Sequence, residues 1–150
     1  MLIKYGGCFF REVNRVVVTQ NLCDELGHMN IQYYYSALSD GMFRVMDIIG
    51  MPKEEIPTRC TSLALHKEEA EFFDEVNEGD EFSMATALEH IGNKSIIFQH
   101  CFFCASDRRL LFRSKFVSVL MDLNTRGGIP IPKKFKVALL KEIPEYIADR

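Results

Sequence analysis

One change of period constrains this chain more than any other feature. Tyr34, Leu38, Met42, Val45 and Ile49 recur every three or four residues, with Ala37 and Gly41 between them, and make one apolar helical face. Asn30 is a good N-cap, Gly50 a good C′ residue, and Pro52 lies beyond, so the spacing predicts one helix of about 19 residues over 31–49. On either side of it the period is two. The β-branched and aromatic run 8–18 reads as a first strand, and 61–76, 80–90, 95–105 and 110–122 read as four more. Ile91 to Lys94 and Ser106 to Arg109 supply hairpin turns. A short amphipathic helix starts near Lys133, carries Phe135, Leu139 and Ile143, and ends or kinks at Pro144.

This order predicts an α+β domain, an antiparallel sheet of about five strands packed on one long helix. Gly41 inside that helix costs about 1 kcal/mol relative to alanine, and close helix-to-sheet packing is the simplest reason for it. Such a helix is about 28 Å long and covers only a strip of sheet, so some apolar strand surface must be covered by something else. The length of 150 residues suits a single domain over 1–150.

Other classes are disfavoured by composition. The longest apolar run is the five residues Cys101 to Ala105, far short of the ~20 that cross a bilayer, and residues 1–10 lack the basic head and cleavage site of a signal peptide. With five cysteines, an odd number, reduced thiols and a cytoplasmic location are expected. The net charge is −3 with no basic block, so neither nucleic acid nor a membrane is an expected partner. His28, His66, His90 and His100 form no close-spaced ligand set, and no metal or cofactor is expected. Cys101 and Cys104 have C-x-x-C spacing, but their odd separation in a strand points them to opposite faces.

The chemistry-bearing segment is Asp24-Glu25-Leu26-Gly27-His28-Met29-Asn30, placed between the first strand and the long helix and followed by Tyr34. It resembles the D-x-x-G-H-x-N-x-x-x-Y signature of the hotdog-fold acyl-CoA thioesterases, the group similar to 4-hydroxybenzoyl-CoA thioesterase. The order of elements, the Gly-Asn-Lys-Ser turn at 92–95 and the exit from Arg126 to Pro132 also look like that family. The resemblance implies a hotdog fold, a homodimer or homotetramer, an acyl-CoA substrate, and Asp24 as the catalytic carboxylate. Two positions depart from the pattern: Cys23 stands where threonine is common, and Ile31 replaces a common polar residue.

Physical reasoning on the same residues agrees. A helix starting at Ile31 turns unpaired N–H groups and its positive dipole end toward the loop. With Asn30 capping the N–H of Gln32 or Tyr33, the Ile31 N–H is free to stabilise a developing oxyanion. Asp24 can then attack a thioester carbonyl or deprotonate a water that does. His28 orients Asp24, water or substrate, or else bonds only to loop backbone. Gly27 provides a tight or positive-φ turn. Tyr34 belongs to the apolar face and is a candidate substrate contact as well as a core residue. Lys94 and Arg126, with Lys133 and Lys134, are candidates for the CoA phosphates, and Ser95 for the pantetheine arm. Three rival readings remain: a Cys23 nucleophile, a silent acyl-CoA-binding module, and a hotdog hydratase. In hydratases the aspartate and histidine are separated by four residues, whereas three separate Asp24 and His28.

Overall fold

Gly6 and Gly7 take φ values of +56° and +80°, the backbone that a two-residue hairpin turn requires and that glycine adopts without steric cost. The chain therefore opens with a hairpin of β1 (Leu2–Tyr5) and β2 (Cys8–Val17). The run expected as the first strand is the second, and the sheet has six strands rather than five. The computed structural model describes residues 1–148. After the hairpin come α1 (Ile31–Ile48), a one-turn α2 (Ile56–Arg59), β3 (Thr61–Phe72), β4 (Glu81–Ile91), β5 (Ser95–Cys104), β6 (Leu110–Asp122) and α3 (Lys133–Glu142). The antiparallel sheet has the order β1-β2-β4-β5-β6-β3. β3 stops short of its expected end at 76 because the Phe73 and Asp74 N–H groups both turn to the Leu111 carbonyl, at 2.9 and 3.2 Å.

The inner face of the sheet receives α1, which buries Tyr34, Ala37, Leu38, Gly41, Val45 and Met46. Tyr34 packs on Phe72, Phe102 and Phe112 with ring centroids 5.0 to 5.7 Å apart. Gly41 lies in close helix-to-sheet packing, as expected: a Cβ there would press on the Met84 thioether and approach Val13 Cγ2 at 3.2 Å. Asn14, at a bulge in β2, donates to the Ala37 carbonyl at 3.1 Å and fixes the helix to that edge.

The outer face of β4 and β5 has its own apolar cluster of Ile3, Cys8, Phe10, Ala85, Cys101 and Phe103. Cys104 belongs to the inner cluster, so the two cysteines do face opposite ways. The chain past α3 lies over this face. Leu88 exchanges backbone hydrogen bonds with Pro144 and Tyr146 at 2.7 and 2.8 Å, Arg11 pairs with Glu142 at 2.7 Å, and Cys8 Sγ meets the Ile147 carbonyl at 2.9 Å. Part of the strand surface that the long helix leaves open is thus covered by the two ends of the chain. No helix among the described residues is long and apolar enough to cross a membrane.

Candidate active site

The loop before α1 is tied at both ends. Cys23 and Met29 form a backbone bridge, Asp24 N–H donates to the His28 carbonyl at 3.1 Å, and Gly27 N–H to the Asp24 carbonyl at 3.0 Å. Gly27 has φ +86° and nothing within 4 Å of a hypothetical Cβ, so its backbone conformation, not space, selects glycine. From outside, Val76 and Asn77 hold the loop: the Met29 N–H reaches the Val76 carbonyl at 2.7 Å, and His28 bridges Asn77.

Within this frame Asn30 has two roles. Its Oδ1 accepts the Gln32 N–H at 3.0 Å, capping α1, and its Nδ2 donates to Asp24 Oδ2 at 2.9 Å. Asp24 Oδ1 accepts the Leu26 N–H at 2.9 Å. The Asn30 hydrogen bond first, and the Leu26 N–H second, hold the Asp24 carboxyl below its ordinary range, so it is ionised at neutral pH. Because the cap takes Gln32, the Ile31 N–H has no hydrogen-bond partner among the described residues. One amide therefore fixes a partly exposed carboxylate against a helix start whose first N–H is free.

His28 points elsewhere. Its Nδ1 lies 3.4 Å from the Met29 carbonyl, and the ring lines an open depression of about 590 Å³ with Tyr34, Phe72, Phe73, Asp74 and Glu75. Tyr34 is both a core residue and part of this wall. The β3–β4 residues had no signal in the sequence, since their place beside the loop comes from pairing across the sheet. A second opening of about 240 Å³ runs between α1 and the β3–β6 edge.

Lys94, Ser95 and Arg126 form a separate group. Ser95 is opposite Val119 on β6, the Lys94 backbone carbonyl accepts the Leu120 N–H at 2.9 Å, and Gly128 lies against Val119 and Lys94. Arg126, at φ +64°, turns the chain beside them. Tyr34 packs on Phe112 near the start of β6. From Phe112 to Val119 is about 23 Å along the strand, so one protomer does not bring these three residues to Asp24.

A sheet packed around one central helix is the hotdog architecture. The chain belongs to the thioesterase-like superfamily, whose family model matches residues 17–139. The expected family and fold are borne out. No curated protein matches the chain. Among solved structures, the SAV2348 protein of Staphylococcus aureus, in complex with CoA, is similar with a TM-score of 0.81 and 19% identity, covering 91% of this chain and 87% of that one. The 1,4-dihydroxy-2-naphthoyl-CoA thioesterase Slr0204 of Synechocystis follows at 0.74 and 16%, covering 84% and 93%. The BH1999 gentisyl-coenzyme A thioesterase reaches 0.72 and 18%, covering 84% and 97%. At these identities the likeness is one of fold.

Proposed function

We propose that this chain hydrolyses an acyl-CoA thioester to a carboxylic acid and free CoA. The observation that carries the reading is the Asn30 side chain, which caps α1 and binds Asp24 at once. A thioester carbonyl set against the Ile31 N–H gains a donor where its oxyanion develops. Asp24 acts as nucleophile, forming an anhydride that water opens, or as base toward an attacking water. CoA thiolate is a good leaving group, and the reaction needs no metal. His28 contributes from the wall of the depression, Gly27 through the shape of the loop, and Tyr34 as substrate contact.

The active assembly in this proposal is a homodimer or a tetramer of dimers, working in the cytoplasm. Two observations support it. β3 is an edge strand with Leu65 and Phe72 about half exposed, at 50% and 53%, the kind of edge that pairs with a second copy. Lys94, Ser95 and Arg126 also need a second protomer to reach an Asp24 site, and there they bind CoA. Thiol release from a panel of acyl-CoAs, with wild type and Asp24→Asn side by side, tests the chemistry. Loss of turnover in the variant with retained CoA binding is expected. Undiminished turnover overturns the role of Asp24, binding without turnover favours a silent module, and consumption of an unsaturated acyl-CoA without thiol release indicates a hydratase.

A further inference from the structure

One flank of the apolar face of α1 forms a stripe in which Leu38 and Met46 are buried, Met42 is half-buried and Ile31 and Tyr35 are exposed. Ile31, Tyr35, Leu38, Met42 and Met46 follow one another at steps of three or four residues, so the stripe starts at the residue whose N–H is free. Four of them, Tyr35, Leu38, Met42 and Met46, line the 240 Å³ opening with Leu63 and Phe116 across from them. From Tyr35 to Met46 the opening extends about 16 Å along the helix. That volume spread over that length describes a channel, not a chamber.

The polar groups at its near end are already bonded. The Tyr35 hydroxyl donates to Glu68 Oε2 at 2.7 Å, and Ser114 Oγ to Glu68 Oε1 at 2.7 Å. Glu68 thus spends both oxygens inside the protein and holds Tyr35 aside as one wall. Beyond it Ser39 and Ser118 are the remaining polar members, and no lining residue is charged. A hydroxylated aromatic acyl group would surrender its water hydrogen bonds to a mostly apolar strip, which is costly.

We infer that this channel holds the acyl group and that the acyl group is an unbranched aliphatic chain. The inference rests on the thioesterase reading and gives it a substrate class. For a C–C bond of about 1.5 Å, an extended chain advances about 1.25 Å per carbon, so the channel suits up to about twelve carbons. The chain enters past Ile31 and runs toward Met46, leaving the thioester at the helix start.

S-alkyl-CoA thioethers of two to fourteen carbons, which cannot be hydrolysed, test this by calorimetry on the wild-type protein. Affinity should rise about three- to fourfold for each added methylene and level off near twelve carbons. Met42→Trp, half-way along and only partly buried, should level off several carbons earlier with short-chain affinity unchanged. A flat profile in wild type overturns the inference, and it is also the profile expected if a second copy of the chain fills the channel. Tighter binding of a 2,5-dihydroxybenzyl-CoA thioether than of any alkyl one overturns it as well. A folded Met42→Trp protein with the wild-type length profile does the same. Chain-length-dependent binding together with no thiol release from any acyl-CoA supports the channel and defeats the hydrolase reading, so the two fail separately.

Discussion

Asn30 Nδ2 donates to Asp24 Oδ2 across 2.9 Å, and this bond connects the chemistry of a loop to the start of a helix. The carboxylate is oriented, ionised and kept close to α1 by the residue that also caps the helix.

Two substitutions at Asn30 separate these roles. Asn30→Ala removes the cap and the donor, so it should cost about 1 kcal/mol of stability and let the Asp24 pKa rise toward the usual value near 3.9. Asn30→Asp keeps a good cap but puts a negative charge beside Asp24, raising that pKa further. In both, the acid limb of the kcat/KM profile should move to higher pH, and further in Asn30→Asp. Acid limbs that coincide with wild type would show that this bond does not tune the carboxylate.

Ile31→Pro is a direct probe of the free N–H. Proline is tolerated at the first helical position, and Asn30 already has the extended backbone, φ −70° and ψ 146°, that a residue before proline prefers. The substitution deletes one donor while leaving the helix in place. A fall in kcat of roughly 10²- to 10³-fold is expected, with a melting temperature close to that of Ile31→Ala. If the two variants turn over equally fast, the Ile31 N–H is not the oxyanion donor.

His100 makes stability depend on pH. It is fully buried on the inner face of β5, with Nδ1 2.8 Å from Thr86 Oγ1 and its ring edge-on to Phe116. Nε2 is buried without a partner, and burial pushes the imidazole down to about 3. Below the unfolded value near 6.5 the unfolded chain binds a proton that the folded chain refuses. Stability from this site is therefore complete above that pH and is lost as pH falls toward 3, by up to about 1.4 kcal/mol per pH unit. His100→Gln should flatten the slope between pH 6.5 and 4 in urea titrations. Carboxylates add a slope of the same sign to both proteins, so the difference between them is the measurement. Parallel curves would mean that His100 is protonated in the fold.

Gly41→Ala sets helix propensity against contact. The gain is about 1 kcal/mol, but the new Cβ presses on the Met84 thioether and approaches Val13 Cγ2 at 3.2 Å. Met84 is flexible yet wholly buried, so a net loss of about 1–2 kcal/mol is expected. Pairing Gly41→Ala with Met84→Val frees the space, and denaturation of the four proteins of the cycle should give a coupling above about 0.5 kcal/mol. Additive effects would place the strain elsewhere.

What could be read in advance follows the range of the forces. The face carrying Tyr34, Leu38 and Val45, the Asn30 cap and the turns at 92–94 and 106–109 are decided within a few residues, and the sequence predicted all of them. Gly6-Gly7 was also a local signal, but the four-residue β1 before it has too little alternation to identify a strand. The end of β3 could not be placed, because Phe73 and Asp74 leave the strand for a carbonyl on β6. At the site, the cap and the likeness of the loop to a known signature were legible. The roles of Val76 and Asn77 as clamps, and the distance separating Lys94 and Arg126 from Asp24, depend on sheet order and were not.

The bonds over the outer face join residues 131 and 139 positions apart, Arg11 to Glu142 and Cys8 to Ile147. Contacts between residues so far apart in sequence draw on a sheet that already holds their strands in place, so they are expected to form late. The expected consequence is two layers of unequal durability, a helix-side layer and a less protected seam of chain ends. In hydrogen exchange that seam should open as its own unit, releasing Leu88 and Tyr146 amides while Phe102 and Leu120 remain protected.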